Sequence, residues 1–273
     1  MRSKFIQSAI LAITMGVAGS ASAFSTTPDS NATNLLNALL GTTTGLSGFS
    51  ASLSATSGAA GTFSADPFGL GAGVVLSTGL IGTTVGPNNS GNAGTDLGAG
   101  GVSGDTTTLT INFTSDATVQ NLFFTYAFGS EEFLEFIQSA FNDTFTLKLD
   151  GTNFAKLVCG LDVAINSFGN SGQGNLSGPC ASELINNTGG LVTQLDYYTK
   201  NLVFKAPISA GAHVLELSIG DVGDGVLDSA VFVKGDVGSV DVTPTPEPTS
   251  LSLLGLGLAA LVSRRFRAAR SAS

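Results

Sequence analysis

Six carboxylates in the middle of this chain fall in three turns. Glu131-Glu132 follow Gly129-Ser130, Asn142-Asp143 stand just ahead of an alternating apolar run, and Asp221, Asp224 and Asp228 share the segment DVGDGVLD. Calcium takes six to eight oxygens from carboxylates, carbonyls and water. Glu131, Glu132, Asn142, Asp143, Asp221, Asp224 and Asp228 are therefore the candidate calcium ligands, provided the turns fold to one side. The spacing Asp221-x-Gly223-x-Gly225 is not an EF-hand loop, because its third and fifth positions have no side-chain donor. Two structural roles compete with a metal: aspartates in glycine turns cap backbone amides, and one glutamate of an adjacent pair can simply face water.

Other chemistries fit the residues less well. A secreted carbohydrate-active hydrolase using carboxylates near Glu131/Glu132 needs two carboxyls facing across a cleft. Neighbouring residues of a strand instead point to opposite faces. The chain has no Trp and only three tyrosines (Tyr126, Tyr197, Tyr198), so a sugar-stacking platform is thin. The single histidine, His213, has no nucleophile pattern around it, and no GxSxG elbow is present. No catalytic residue is assigned, and a non-enzymatic domain is expected. Cys159 and Cys180 flank a loop-rich stretch, and in an exported protein such a pair is expected to form a disulfide. Two cysteines and one histidine do not make a zinc site.

The elements that must position these groups read mostly as short strands. Leu122–Phe128 is apolar enough to be covered on both faces. Apolar residues at 133, 134, 136, 137 and 140 have a spacing nearer helix than strand, and Phe145, Leu147 and Leu149 then alternate with polar neighbours. Upstream, Ala32–Leu40 has one apolar helical face stopped by Gly41, and Thr42–Asp66 reads as weak strand or loop. Gly73–Gly79 is a compact buried strand, Gly82–Gly104 a glycine-rich loop, and Thr106–Thr114 a half-buried strand. Downstream, Phe154–Val158 and Val163–Ile165 read as short strands around Cys159, and Gly169–Gly190 as a loop. Leu202–Phe204, Val214–Ile219 and Ser229–Lys234 complete a set of roughly nine strands. The expected fold is all-β: a jelly-roll-like sandwich over 24–242, with a short N-terminal helix and a short helical excursion near 133–140.

Charge and the two ends set the address. Of 273 residues carrying a net charge of −9, the stretch Phe24–Thr243 holds five lysines and no arginine against nineteen acids. Such a surface repels phosphate backbones, which excludes nucleic acid as a partner, and suits cation binding or solubility. Residues 1–23 have a basic start, an apolar run and Ala21-Ser22-Ala23, the pattern of a secretory signal peptide cut after Ala23. Residues 243–273 run from the proline-rich TPTPEPT through the uncharged LSLLGLGLAALV to Arg264, Arg265 and Arg267. Twelve apolar residues fall short of the roughly 20 of a full span. With flanking residues they read as a separate C-terminal transmembrane helix whose arginines stay cytoplasmic.

Two resemblances follow. Pro246-Glu247-Pro248, the apolar run and the cluster Arg264, Arg265, Arg267 resemble the PEP-CTERM sorting signal of Gram-negative bacteria. That implies export through the secretion machinery, transient anchoring in the inner membrane, an exosortase as processing partner, and a host that makes extracellular polysaccharide. Val75-Leu76-Ser77-Thr78-Gly79, Tyr126–Phe133, Phe141-Asn142-Asp143 and Asp228–Phe232 resemble the choice-of-anchor L family over most of Ala32–Lys234, with Phe133 where the family often has Tyr. This resemblance implies a surface or secreted β-domain with no established enzymatic activity. The expectation is an exported, non-enzymatic cell-surface or extracellular-matrix protein, a cation-dependent adhesion or glycan-binding module with extracellular polysaccharide as a partner.

Overall fold

The computed structural model describes residues 23–89 and 105–234. The expected signal peptide, most of the Gly82–Gly104 loop and the C-terminal sorting segment with its apolar helix lie outside these residues. Among the described residues no helix is long and apolar enough to cross a membrane.

The chain forms β1 (Ser25–Pro28), α1 (Ala32–Leu39), β2 (Leu46–Ser54), β3 (Ala60–Ser64), β4 (Ala72–Ser77), β5 (Thr106–Ser115), β6 (Asn121–Ser130) and β7 (Thr144–Leu149). After these come β8 (Thr152–Asn153), β9 (Val163–Ala164), β10 (Leu184–Asn186), β11 (Tyr197–Thr199), β12 (Leu202–Pro207), β13 (Gly211–Gly220) and β14 (Ser229–Lys234). They make two antiparallel sheets. The larger runs β1-β3-β4-β14-β6-β11-β10, with β12 also on β6. The smaller runs β2-β5-β13-β7-β8, with β9 also on β7. The expected all-β sandwich is the observed architecture.

Alternation explains the smaller sheet. Leu109, Ile111 and Phe113 of β5, Leu215, Leu217 and Ile219 of β13, and Phe145, Leu147 and Leu149 of β7 all point inward. Register locks them in rows: Leu217 lies opposite Leu109 on one side and Leu147 on the other. The larger sheet differs, because β4, β14 and the last half of β6 are buried on both faces. Val74, Leu76, Tyr126, Phe128, Val231 and Val233 face the inter-sheet core. Val75, Ala127 and Phe232 face outward, under a second apolar layer that includes Phe24, Phe63 and Phe68. Phe68 sits 4.5 Å from Phe232 by ring centroids, and Phe24 meets both rings edge-on. This cover is what permits apolar runs without alternation.

α1 begins at Asn31, whose side chain accepts the N–H groups of Thr33 and Asn34. Its Leu35, Leu36 and Leu39 enter the inter-sheet core. The stretch 42–66, expected as weak strand or loop, holds two real strands. Phe49, Ala51 and Leu53 of β2 do alternate, but small residues dilute the signal, and a bulge between Ser47 and Ser50 puts Leu46 out of phase. The excursion at 133–140 is a run of turns rather than a regular helix. It has one i→i−4 bond, Phe136 N–H to Glu132 O, and i→i−3 bonds at Ile137 and Ser139. Phe133 and Ile137 go to the core. Phe154–Val158 is not a strand: β8 stops at Asn153, and this segment turns around the side chains of Asn153 and Glu183.

Cys159 and Cys180 are bonded, with Cα atoms 5.5 Å apart. Glu183 reinforces the closure, its carboxylate accepting the N–H groups of Val158 and Cys159 at 2.9 and 3.2 Å. His213 is pinned as well, between Asp150 Oδ2 at 2.7 Å and the Ser209 carbonyl at 2.8 Å. Replacing both cysteines by alanine is expected to lower unfolding free energy by about 3 kcal/mol, the entropy of a loop this long. The check is a lower urea midpoint with an unchanged far-UV spectrum.

Candidate metal centre

Strand order brings the expected acidic turns together. β14 lies between β4 and β6, with Ser229 opposite Ser130 and Ala230 opposite both Ser77 and Gly129. The residues just beyond these strand ends, Thr78-Gly79, Glu131-Glu132 and Asp228, therefore share one end of the larger sheet. In the smaller sheet Gly220 of β13 pairs Thr144 of β7, so Asp221 and Asp143 sit side by side at that sheet's end. Backbone bonds tie the turns: Glu131 N–H to Asp228 O, Asn142 N–H to Val222 O, and Val222 N–H to Asp143 Oδ1 at 3.0 Å.

A lattice of buried hydroxyls holds the three strand ends in step. Ser229 and Ser130 share a hydroxyl hydrogen bond of 2.9 Å, and Ser130 Oγ accepts the Glu132 N–H at 2.8 Å. Ser77 Oγ donates to the Ser229 carbonyl, and Thr78 Oγ1 accepts the Ser229 N–H at 2.9 Å. Gly79 lies against the Asp228 carboxylate so closely that a Cβ there would fall inside its van der Waals surface. The Val75–Gly79 and Asp228–Phe232 segments thus belong to one joint.

Glu131, Glu132, Asp143, Asp221 and Asp228 are all buried, none more than 7% exposed. Glu132 Oε2 and Asp143 Oδ2 have no hydrogen-bond partner among the described residues. Burial, then the charges of Asp143, Asp224, Asp221 and Glu135, push the Glu132 carboxyl up to about 8. Burial, then Asp221, push Asp143 to about 8 as well, against the lowering pull of the nearby Ser229 hydroxyl, which is bonded to Ser130, and of the Val222 N–H. The charges acting on these two groups are those of other carboxylates.

Two predicted ligands stand apart from this set. Asn142 spends its Oδ1 on the Asn166 N–H at 2.8 Å, a clasp on the neighbouring turn. Asp224 lies on the 221–228 loop and caps the Val226 N–H at 3.1 Å, reaching the cluster only through its charge. Glu131 and Glu132 do not split between the faces of a strand, because β6 ends at Ser130 and the chain bends there. Ser77, Thr78, Ser130, Ser229 and Glu135 were not singled out from sequence as site residues. The first four could have been, since they sit inside the motif segments.

The chemistry open to such a cluster is to hold protons or a hard cation. Among the described residues, the group of three donors within 4.8 Å of one another is Cys159, Cys180 and Glu183. It is no metal site, since its sulfurs are bonded to each other and its carboxylate holds backbone amides. The acidic cluster is more open than this, and the loop that follows Asp221 is packed closely at Gly223. Gly223 has φ +130°, and a Cβ there would strike the Phe141 ring.

The chain is thus an all-β, two-sheet sandwich with a buried acidic joint at one end, carried on an anionic body. The chain belongs to the choice-of-anchor L family, whose domain model matches residues 25–239. The PEP-CTERM protein-sorting motif matches residues 244–268. These matches make it an exported cell-surface protein bearing the signal an exosortase recognises, and neither matched family is an enzymatic one. No curated protein matches the sequence. A solved structure described as a family 35 carbohydrate binding module from an environmental isolate aligns over 63% of this chain and 99% of its own. Its identity is 11% and its TM-score 0.22, too low to bear on fold or ligand.

Two outcomes follow from the joint. Gly79→Ala should cost about 3 kcal/mol or more by overpacking against Asp228, whereas Gly82→Ala, with open space around its Cβ, should stay within about 0.5 kcal/mol. In chelator, stability should fall as pH rises from about 4.5 to 8. Glu132 and Asp143 titrate higher in the folded state than in the unfolded one, so the folded form holds extra protons through that window and loses them at its top. Urea midpoints read at half-unit pH steps check the sign.

Proposed function

We propose that this protein is a non-enzymatic surface module whose acidic joint is closed by calcium. Glu131, Glu132, Asp143, Asp221 and Asp228 are its ligands, with Asp224 available from the loop. The observation that carries the reading is the pair of buried, unpartnered oxygens, Glu132 Oε2 and Asp143 Oδ2, set among like charges. Ionising them in a dry site costs several kcal/mol per group unless a positive charge joins them. A divalent ion supplies that charge, and calcium's loose geometry suits ligands drawn from five chain positions better than magnesium's strict octahedron. The role is to cross-link the ends of the two sheets and present a fixed set of loops outside the cell for adhesion or glycan binding. The leader is removed after Ala23, and the C-terminal helix holds the product in the inner membrane until the exosortase acts. A hydrolytic role near Glu131 and Glu132 finds no support in their position, because both carboxyls are buried rather than facing a cleft.

Differential scanning calorimetry of the mature protein tests this. At pH 7.5, calcium at about 100 times Kd should stabilise it by about 2.7 kcal/mol, roughly 5–10 °C for a domain of this size. Magnesium should do much less. Titration heats should vary with buffer ionisation enthalpy, because Glu132 and Asp143 release protons on binding. Glu132→Gln with Asp143→Asn should abolish the calcium response while raising the chelator-treated melting temperature at pH 8. Equal melting in calcium and chelator would end the proposal.

A further inference from the structure

Beside the acidic joint lies a second, separate cavity of about 300 Å³. Its lining includes Leu134, Thr188 and Tyr197, the asparagines Asn88 and Asn89, and the carboxylates Glu135 and Asp196. Among the described residues no basic side chain lines it. The Asp196 wall is built before any ligand arrives. Asn88 Nδ2 donates to Asp196 Oδ1 at 2.9 Å, and the Asn88 N–H bonds the Gly190 carbonyl at 2.8 Å. Asn187 holds the other side, its N–H on the Asp196 carbonyl and its side-chain amide on the Thr193 and Leu195 carbonyls. Such pre-organised polar walls around an apolar patch mark small-molecule sites, and this volume is at the small end of their range.

The lining dictates what fits. Two carboxylates without a cation repel phosphates and acidic sugars and favour a ligand bringing positive charge. Burial, with Glu135 adding, holds the Asp196 carboxyl above its ordinary range, and burial followed by Asp196 and Glu135 does the same to the Tyr197 phenol. An ammonium between the two acids relieves both. The Asn89 amide and the Thr188 hydroxyl suit sugar hydroxyl groups, and Leu134 with Tyr197 gives the cavity an apolar side for a pyranose. We infer that this cavity binds one 2-amino-2-deoxyhexose unit, its ammonium between Glu135 and Asp196 and its hydroxyls on the Asn89 amide and the Thr188 hydroxyl. This goes beyond the calcium reading and shares no ligand with it.

Isothermal titration of the mature protein with glucosamine, N-acetylglucosamine, glucose and lysine amide, each in calcium and in chelator, tests the inference. Glucosamine should bind saturably at one site per chain, while N-acetylglucosamine and glucose give no heat. Glu135→Gln and Asp196→Asn should each weaken glucosamine about tenfold or more, the usual loss for a charged hydrogen bond. Glu135 is exposed, so its variant keeps the test valid even if Asp196→Asn fails to fold. No saturable glucosamine binding in either buffer overturns the inference, as does unchanged affinity in Glu135→Gln. Lysine amide binding as tightly as glucosamine overturns the sugar assignment. Glucosamine binding without any calcium effect on melting upholds this site while ending the proposed calcium joint.

Discussion

Removing a carboxylate from water costs several kcal/mol unless a proton, a cation or a set of donors replaces the hydration. This domain does so five times at one end, with Glu131, Glu132, Asp143, Asp221 and Asp228. Much of the local structure serves that burial. β4, β14 and β6 end in step, Ser77, Thr78, Ser130 and Ser229 bond across them, and Gly79 omits the side chain that would displace Asp228. None of these devices adds positive charge. They fix the backbone so that the carboxyl groups have no easy route back to solvent.

The rest of the sandwich makes that rigidity affordable. Because Phe24, Phe63 and Phe68 cover the outer face of the larger sheet, β14 sits buried between two layers as well as between two strands. A strand so enclosed cannot shift register without moving apolar groups out of both cores. The position of Asp228 at its start is therefore set by packing along its whole length. Asp143 is fixed from the other sheet, where the inward rows of β5, β13 and β7 leave no slack at the Gly220–Thr144 pair. The two halves of the joint are each anchored in core and meet only through loops.

What could be read from sequence follows from the same division. Where one face is wet, period-two alternation marks the strand, as in β5, β7 and β13. Where both faces are covered, the unbroken apolar run marks it, as in β4 and β14. β1, β10 and β11 are three or four residues long and have no period to detect, and β2 is thinned by serine and alanine. The acidic turns were legible as a group because glutamates are scarce here and three aspartates share one short glycine segment. Their meeting was not, since it depends on β13 pairing β7 and β14 lying between β4 and β6. The glutamate pair misleads if strand alternation is carried past Ser130, where the strand has already ended. Asn142 has a ligand's chemistry, but nothing in its neighbours announces that Asn166 takes its oxygen.

Placing the ionisable joint between sheets, rather than within one, has a consequence for export. The acids near positions 131, 143, 221 and 228 are scattered in an unfolded chain, so the proposed cation would find its ligands only after both sheets have formed. Burial and neighbouring carboxylates raise both Glu132 and Asp143 to about 8, so near neutral pH a proton can take the place of the proposed ion. Extracellular calcium modules work at ligand concentrations of about 10⁻⁴–10⁻³ M, far above what a cytosol supplies. A chain that crosses the membrane unfolded would then meet its ion only where it is displayed. On the proposed reading the acidic joint would act as a lock set by location.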